Sequence, residues 1–527
     1  MPDPRAAGTR RLPAWLLPLP DASQQRAIDE WAIARCGIPS LALMERAGAG
    51  LAALVQARAP AGRVVVVAGK GNNGGDGLVA ARLLRAARRE VDVLLLDDPD
   101  LLAGDARVNL RRLSGAPPRP FEPAALAGAS VIVDAILGTG AAGAPRPPAA
   151  EAIQAVADAA GAGAASPLVI ACDIPSGVDA SSGEVAGAAV RATATATFHA
   201  PKPGLWIAPG KRCAGEVQVV DIGIPAGAPV APAIGLIEPR VLAELPRRGP
   251  DSNKFTAGTV LVCGGSAGLT GAPCLAAMAA MRAGAGYVTA LVPRSLSAVF
   301  EQRLLEVMTL GLPDRDGVLA ADAAPVVIER CARAGALVLG PGLGRDQAAA
   351  ELARAVAAQA PVALVLDADG LGAHAGRLES LATRPAPTVL TPHEGELARL
   401  LELPSSEVSA HRLALARRAA LRARAVVVLK GDDTLVAAPG GDRAGDQLVA
   451  VSRGGSPALA TAGTGDVLAG VIGALLAAGA PPFTAACAGV LIHARAGALA
   501  AQRVGVDGVI ASDVISLLAR ARAEGGT

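Results

Sequence analysis

The sequence predicts two consecutive α/β domains, each built on a parallel β-sheet with helices on both faces. Three observations carry this. Short runs of Val, Ile and Leu lack polar alternation, as strands buried on both faces do. Segments of helical spacing separate these runs. Nearly every run ends in a glycine-rich or polar segment, where open α/β sheets bind ligands.

Residues 21–60 read as helix, with Leu41, Leu43, Met44, Ala47, Leu51 and Leu54 at helical spacing. Four consecutive valines, 64–67, form a strand that enters a Gly-rich turn, and residues 78–89 follow as a helix. Residues 91–96, 131–133 and 168–171 are the next strands. This half is therefore a doubly wound, three-layer, Rossmann-like domain. A Pro/Ala/Gly-rich stretch, 225–232, marks the boundary and gives domains of 1–235 and 236–527. In the second series, residues 260–262, 336–339, 362–366, 389–390 and 426–429 are strands, leading into Gly264, Gly340, Asp367, Thr391 and Lys430. The uncharged stretch 467–492 is long enough to span a bilayer. Pro481 and Pro482 interrupt it, so it reads as two buried helices joined by a turn.

Composition narrows the function classes. Aromatics are 2% of the chain, so Ala, Val and Leu must fill the cores by close packing. Lys and Arg number 49 against 47 Asp and Glu, without the basic excess of a nucleic-acid surface. The arginines between Arg412 and Arg424 read as a solvated helix face. Seven cysteines lie far apart with no CxxC pair, as free thiols of a reducing, cytoplasmic compartment do. Prolines break the apolar stretch after Arg10 and Arg11, so no export signal is expected. Small molecules are the expected partners, with no nucleic acid and no membrane. Ala-rich apolar surfaces are compatible with a homo-oligomer.

The turn at 69–77 reads Gly-Lys-Gly-Asn-Asn-Gly-Gly-Asp-Gly. Its glycines let the backbone approach an anion, and the following helix offers free N–H groups. It is not a GxxxxGK[ST] phosphate loop. Asp134 and Asp173 each end a strand, before Gly138-Thr139-Gly140 and Ile174-Pro175-Ser176-Gly177 respectively. Singly, each Asp reads as a helix cap. Together, beside a phosphate-type loop, they suit a cation with hard oxygen ligands, or acid–base work. In the second half, Gly463-Thr464-Gly465-Asp466 precedes a long apolar helix, so its amides can form an anion hole with Asp466 placed as a base.

These motifs, with Leu43 to Gly48 and Lys202 to Leu205, resemble the NAD(P)H-hydrate epimerase family over nearly all of residues 20–225. That resemblance implies a hydrate site lined by Asn72, Asn73, Gly74, Gly75, Asp76, Gly138, Thr139, Gly140, Ala141, Ala142, Gly143, Ala144 and Asp173. It also implies a potassium ion held by Asn73, Asp134 and Ser176. Epimerisation at the hydrated carbon needs a proton carrier near the ring; Asp134 is the expected one, with Lys202 a second candidate. The second half resembles the ribokinase-like fold, and within it the ADP- or ATP-dependent NAD(P)H-hydrate dehydratases over about 245–520. This rests on Gly264-Gly265-Ser266, Gly340 to Gly344, Asp367-Ala368-Asp369, Thr391 to Glu396, Lys430-Gly431 and Gly463 to Asp466. It implies that Ala272, Gly342, His393 and Asp466 touch the hydrate. Lys430, Gly431, Asp432, Asp433, Thr434 and Gly465 would bind ADP or ATP with Mg2+, and Asp466 would be catalytic. One departure stands out: Asn253-Lys254-Phe255 replaces the His-Lys-Gly of relatives. Two rival readings are a ribokinase-like kinase of a vitamin-precursor alcohol and a first domain that only binds. A Rossmann dehydrogenase fits poorly, since no acidic residue is placed for the ribose.

Overall fold

A computed structural model describes residues 12–161, 166–440 and 447–524. They divide into two compact units, residues 18–234 and residues 235–524 with 12–17. Residues 12–17, expected with the first domain, belong to the second. Strand Leu16–Pro18 flanks strand Ile234–Ile237 at the edge of that unit's sheet. Trp15 and Leu16 are buried in its core, with the Trp15 ring 6.0 Å from Phe483. Arg10 and Arg11 lie outside the described residues.

The first unit holds a seven-stranded sheet. Its spatial order is Arg119–Pro120, Val91–Leu95, Val64–Ala68, Val131–Ala135, Leu168–Cys172, Ala194–Phe198, Glu216–Val220, and every neighbouring pair is parallel. Strand order reverses between Val64–Ala68 and Val131–Ala135, the crevice that doubly wound sheets use for ligands. Both faces are covered. Val64, Val66, Val131 and Val133 enter one core, while Val65, Val67 and Ile132 enter another.

The helix expected over 21–60 is two, Ala22–Ala34 and Ser40–Arg58. Gly37, at φ 68°, and Pro39 separate them. The next helix starts at Asn72 rather than 78, inside the glycine-rich segment. A Cβ on Gly74 would lie 1.8 Å from the Gly69 carbonyl oxygen, so glycine lets the first turn close onto the loop. That contact outweighs glycine's poor helix propensity. Strands Ala194–Phe198 and Glu216–Val220 escaped the sequence reading because Thr and Glu interrupt their apolar runs.

The second unit's sheet has eleven strands. From Val426–Leu429 it runs in parallel through Thr388–Leu390, Ala363–Leu366, Ala336–Leu339, Thr259–Cys263 and Tyr287–Pro293 to Met308–Leu312. Its switch point lies between Thr259–Cys263 and Ala336–Leu339. Strands Leu435–Ala437 and Val449–Val451 extend the other side antiparallel. The stretch 467–492 is, as expected, helix, turn and helix: Thr464–Ala477 and Pro482–Val504. Pro482–Val504 is long and apolar enough to cross a membrane, yet Cys487, Ile492 and Ala496 on it are core residues. Thr464–Ala477 lies so close to helix Gly271–Ala283 that a Cβ on Gly470 would meet the Ala276 carbonyl at 2.1 Å.

Candidate active sites

In the first unit, the turn after Val64–Ala68 and the loop after Val131–Ala135 face each other across the switch point. With helix Ala22–Ala34 and Asp173 they wall a cavity of about 660 Å³, a size typical of small-molecule sites. Of the expected hydrate residues, Asn72, Asn73, Asp76, Gly138, Thr139, Gly140, Ala141 and Asp173 line it. Gly74 and Gly75 are instead packed against Gly69 and Met44, and serve to seat the helix. Ala142 and Gly143 line a separate small cavity beside Gly177, and Ala144 lies against Gly187.

Asp173 adopts a left-handed backbone, φ 62°, at the strand end. Its Oδ1 accepts from Thr197 Oγ1 at 3.1 Å, Phe198 N at 3.1 Å and Lys202 Nζ at 2.5 Å. Lys202 is fully buried and also donates to Thr197 Oγ1 and the Phe198 carbonyl, both at 2.9 Å. All its protons are spent beneath the cavity, so Lys202, expected as a proton carrier, holds Asp173 instead. Asp76 faces the cavity. Burial, reinforced by Asp173 and Asp29, raises its pKa well above the ordinary carboxylate value.

Asp134, the other expected proton carrier, is fully buried and off the cavity wall. Its Oδ1 accepts from Ser176 Oγ at 2.6 Å and Ile136 N at 3.3 Å, and its Oδ2 from Ser176 N at 2.8 Å. Asn73, Asp134 and Ser176 nevertheless converge: Asn73 Nδ2 donates to the Leu137 carbonyl at 2.9 Å, and Ser176 Oγ lies 3.2 Å from the same oxygen. Burial pushes Asp134 up to about 6, and its hydrogen-bond partners are a hydroxyl and amides rather than a cation. A buried carboxylate amid hard oxygens, lacking a basic partner, fits a monovalent cation.

In the second unit, the strand ends at the switch point touch: a Cβ on Gly264 would lie 2.1 Å from the Pro341 carbonyl. Helix Thr464–Ala477 begins there with Gly463 at φ 87° and no side-chain cap, leaving its first amides open to an anion. Lys430 Nζ donates to Asp367 Oδ1 at 3.2 Å, lies 3.6 Å from Glu396 Oε2, and would be 3.3 Å from a Cβ on Gly465. Burial opposes its charge, but Asp367 and Glu396 outweigh that and raise its pKa. Asp466 is pushed up to about 7 by burial and by Asp367, against the pull of Lys430.

Ala272 and Gly342 adjoin, as expected of a shared wall; a Cβ on Gly342 would lie 3.2 Å from that of Ala272. His393 caps helix Glu394–Leu401, accepting at Nδ1 from Gly395 N and Glu396 N, with its ring half exposed. Residues 431–434 form a tight turn closed by Thr434 N to the Gly431 carbonyl at 3.1 Å. Asp432 points outward. Asp433, expected at the nucleotide, turns inward onto Arg412 Nε at 2.9 Å. Arg412 in turn contradicts the solvated-face reading. It is 1% exposed, pairs with Glu394, and reaches the Lys430 carbonyl at 3.3 Å. Arg418 and Arg424 are exposed as expected. Asn253 forms an exposed turn, accepting from Phe255 N at 2.9 Å and Thr256 N at 3.1 Å.

Sequence reasoning missed Gln25 and Asp29 in the first cavity; around the second it named Asp367 and Glu396 within their motifs without a role, and misread Arg412. The signal for Gln25 was its phase: it shares the buried face of its helix with Ile28 and Ala32.

Residues 260–520 match the family described as NAD(P)H-hydrate dehydratase, and residues 40–204 that described as YjeF-related protein N-terminus. The chain is 38% identical over 515 residues to a bifunctional NAD(P)H-hydrate repair enzyme Nnr from Moorella thermoacetica, covering 94% of this chain and 95% of that one. It is 39% identical to the protein of the same name from Salinibacter ruber, covering 96% of each. A crystal structure of ADP/ATP-dependent NAD(P)H-hydrate dehydratase from Bacillus subtilis, co-crystallised with ATP/Mg2+, is 29% identical. It covers 54% of this chain and 96% of that one, with a TM-score of 0.46.

Proposed function

The chain belongs to the bifunctional NAD(P)H-hydrate repair enzymes, and from that premise we propose that its two sites divide the repair between them. The first unit interconverts the R and S hydrates of NADH and NADPH. The second returns the S hydrate to the reduced cofactor at the expense of ADP or ATP.

The observation that carries the reading is Asp466, held near neutrality beside Lys430 at an uncapped helix start. A base with a pKa near ambient pH accepts a proton and gives it up again with little penalty. Asp466 takes the proton of the ring hydroxyl as the oxygen attacks the terminal phosphate of the nucleotide. The amides of 463–465 and Lys430 stabilise the transferring phosphoryl group. The nucleotide leaves one phosphate shorter, and loss of phosphate from the ring carbon together with a proton from the neighbouring carbon then restores the ring double bond. Asp369 would offer hard oxygen to a magnesium ion, which would supply positive charge against the nucleotide phosphates.

In the first unit, Asp76 and Asp173 face the ring and move its protons, while Lys202 fixes Asp173. Asn73, Asp134 and Ser176 would hold a potassium ion, which supplies positive charge beneath the 136–141 loop.

The test follows absorbance as reduced cofactor is regenerated from mixed epimers with ADP or ATP and Mg2+. Wild type recovers all of it, Asp466→Ala none, and Asp76→Asn stalls after one epimer. Failure of wild type with either nucleotide, with release of a phosphorylated product, would overturn the reading in favour of a small-molecule kinase.

A further inference from the structure

The helix Ala22–Ala34 contributes a polar wall to the first cavity that the epimerisation chemistry above does not use. Gln25 and Asp29 are four residues apart, so they share one face of the helix. Both line the cavity, opposite Asn73 and Gly138 on the turns of the sheet edge. Gln25 Nε2 donates to Asp29 Oδ1 at 3.0 Å, which orients both groups. Gln25 is 5% exposed, and its Oε1 is a buried acceptor with no hydrogen-bond partner. Such an orphan keeps its full desolvation cost unless a ligand satisfies it. Burial, helped by Asp173 and Glu30 against Gln25 and Lys202, raises the pKa of Asp29. A raised pKa makes the protonated, donating form of the carboxyl easier to reach when an acceptor is bound beside it.

The wall therefore offers one unmet acceptor and one donor side by side. A primary carboxamide has the complementary pair, an NH2 donor and a carbonyl acceptor on one carbon. We propose that Gln25 and Asp29 recognise the carboxamide of the hydrated nicotinamide ring. Gln25 Oε1 accepts from its NH2 group, and the Asp29 carboxyl donates to its carbonyl oxygen. The inference rests on the epimerase reading of this cavity and adds to it the groups that orient the ring. With the carboxamide fixed, the hydroxyl-bearing carbon is held in one place against Asp76 and Asp173 whichever epimer is bound. That single pose is what a two-faced reaction at one carbon requires.

The experiment uses the full-length enzyme and two substrates, the hydrate of NADH and the hydrate of its reduced 3-acetylpyridine analogue. The analogue keeps the carbonyl and replaces the NH2 group with a methyl. Epimerisation is followed by chromatographic separation of the epimers, without nucleotide. Wild type is expected to lose about tenfold in kcat/KM on the analogue, the worth of one buried hydrogen bond. Gln25→Leu is expected to lose about tenfold on the NADH hydrate and almost nothing on the analogue. Asp29→Asn keeps a donor and stays within about threefold of wild type, whereas Asp29→Val falls about tenfold on both. Nucleotide-dependent recovery of the S hydrate monitors the second domain throughout, and thermal unfolding monitors the first. Equal kcat/KM on both substrates in wild type overturns the proposal without depending on any variant. Equal losses on both substrates in Gln25→Leu overturn it too. Absence of epimerisation of the NADH hydrate by wild type would instead overturn the epimerase reading itself.

Discussion

The two sites solve one problem of charge in two ways. Each gathers three carboxylates round one lysine: Asp29, Asp76 and Asp173 with Lys202 in the first unit, and Asp367, Glu396 and Asp466 with Lys430 in the second. The difference is where the lysine sits. Lys202 is sealed below its cavity, with its protons committed to Asp173, Thr197 and the Phe198 carbonyl. It pairs with one carboxylate, while burial still raises the pKa of Asp29 and Asp76. Lys430 keeps 21% of its side chain exposed and lies beside Gly465 at the open helix start. It can meet a phosphate. On the proposed reading, the same inventory serves proton handling in one domain and phosphoryl transfer in the other.

The contrast breaks most sharply at Asp173. Removing it leaves Lys202 buried with a hydroxyl and a carbonyl but no counter-charge. Asp173→Ala should destabilise the first unit by about 3–5 kcal/mol. Urea unfolding followed by hydrogen exchange, resolved to each unit, should show the loss in 18–234 and little change beyond it. An equal loss in both units, or none, would mean that Lys202 is not held as described.

The second site should respond with the opposite sign. Asp466 has a folded pKa of about 7 against an ordinary 3.8. A carboxyl with a raised folded pKa contributes stability that is fully present below 3.8 and is lost as pH rises through about 7. At pH 8 the ionised Asp466 therefore strains the fold, and Asp466→Asn should be more stable than wild type by about 2–4 kcal/mol. At pH 4 the two should unfold alike. Thermal unfolding of both proteins across pH 4–8 checks this, and a gap that is constant with pH would sink it.

Much of this frame was legible in the chain. Valine runs without alternation gave the central strands, because a parallel sheet buries both faces. Glycine-rich ends placed the ligand edges, because only glycine tolerates those backbone approaches. Asp466 and Lys430 could be placed at a helix start and a strand end because their motifs lie directly there. What could not be read was side-chain direction. Asp134 and Asp173 both end strands, yet one turns into the protein and the other toward the cavity. Gln25 and Asp29 resemble an ordinary polar pair on a surface helix until the sheet edge is set against them. Arg412 sits in a run of arginines, and its burial depends on Glu394 and Asp433, which are distant in sequence.

Arg412 supplies the smallest expected effect and the finest division between the domains. Its guanidinium joins two segments of the second unit: Glu394 beside His393, and the 430–434 turn through Asp433 and the carbonyl of Lys430. The first site's walls are tied by a neutral bond instead, Asn73 Nδ2 to the Leu137 carbonyl at 2.9 Å. Arg412→Met keeps much of the apolar volume but removes the ion pair to buried Asp433, while Glu394 remains partly in water. The expected loss of stability is about 2 kcal/mol. The more telling readout is kinetic. If Arg412 positions the 430–434 turn, the KM for ADP or ATP should rise about tenfold, because the turn must be ordered at the cost of binding energy. Saturating nucleotide should restore most of kcat, since Asp466 and the 463–465 amides are untouched. Epimerisation, run without nucleotide, should be unchanged. A fall in kcat with unchanged KM would place Arg412 with the reacting groups instead. The tie across the second site would then serve the chemical step rather than the seating of its nucleotide.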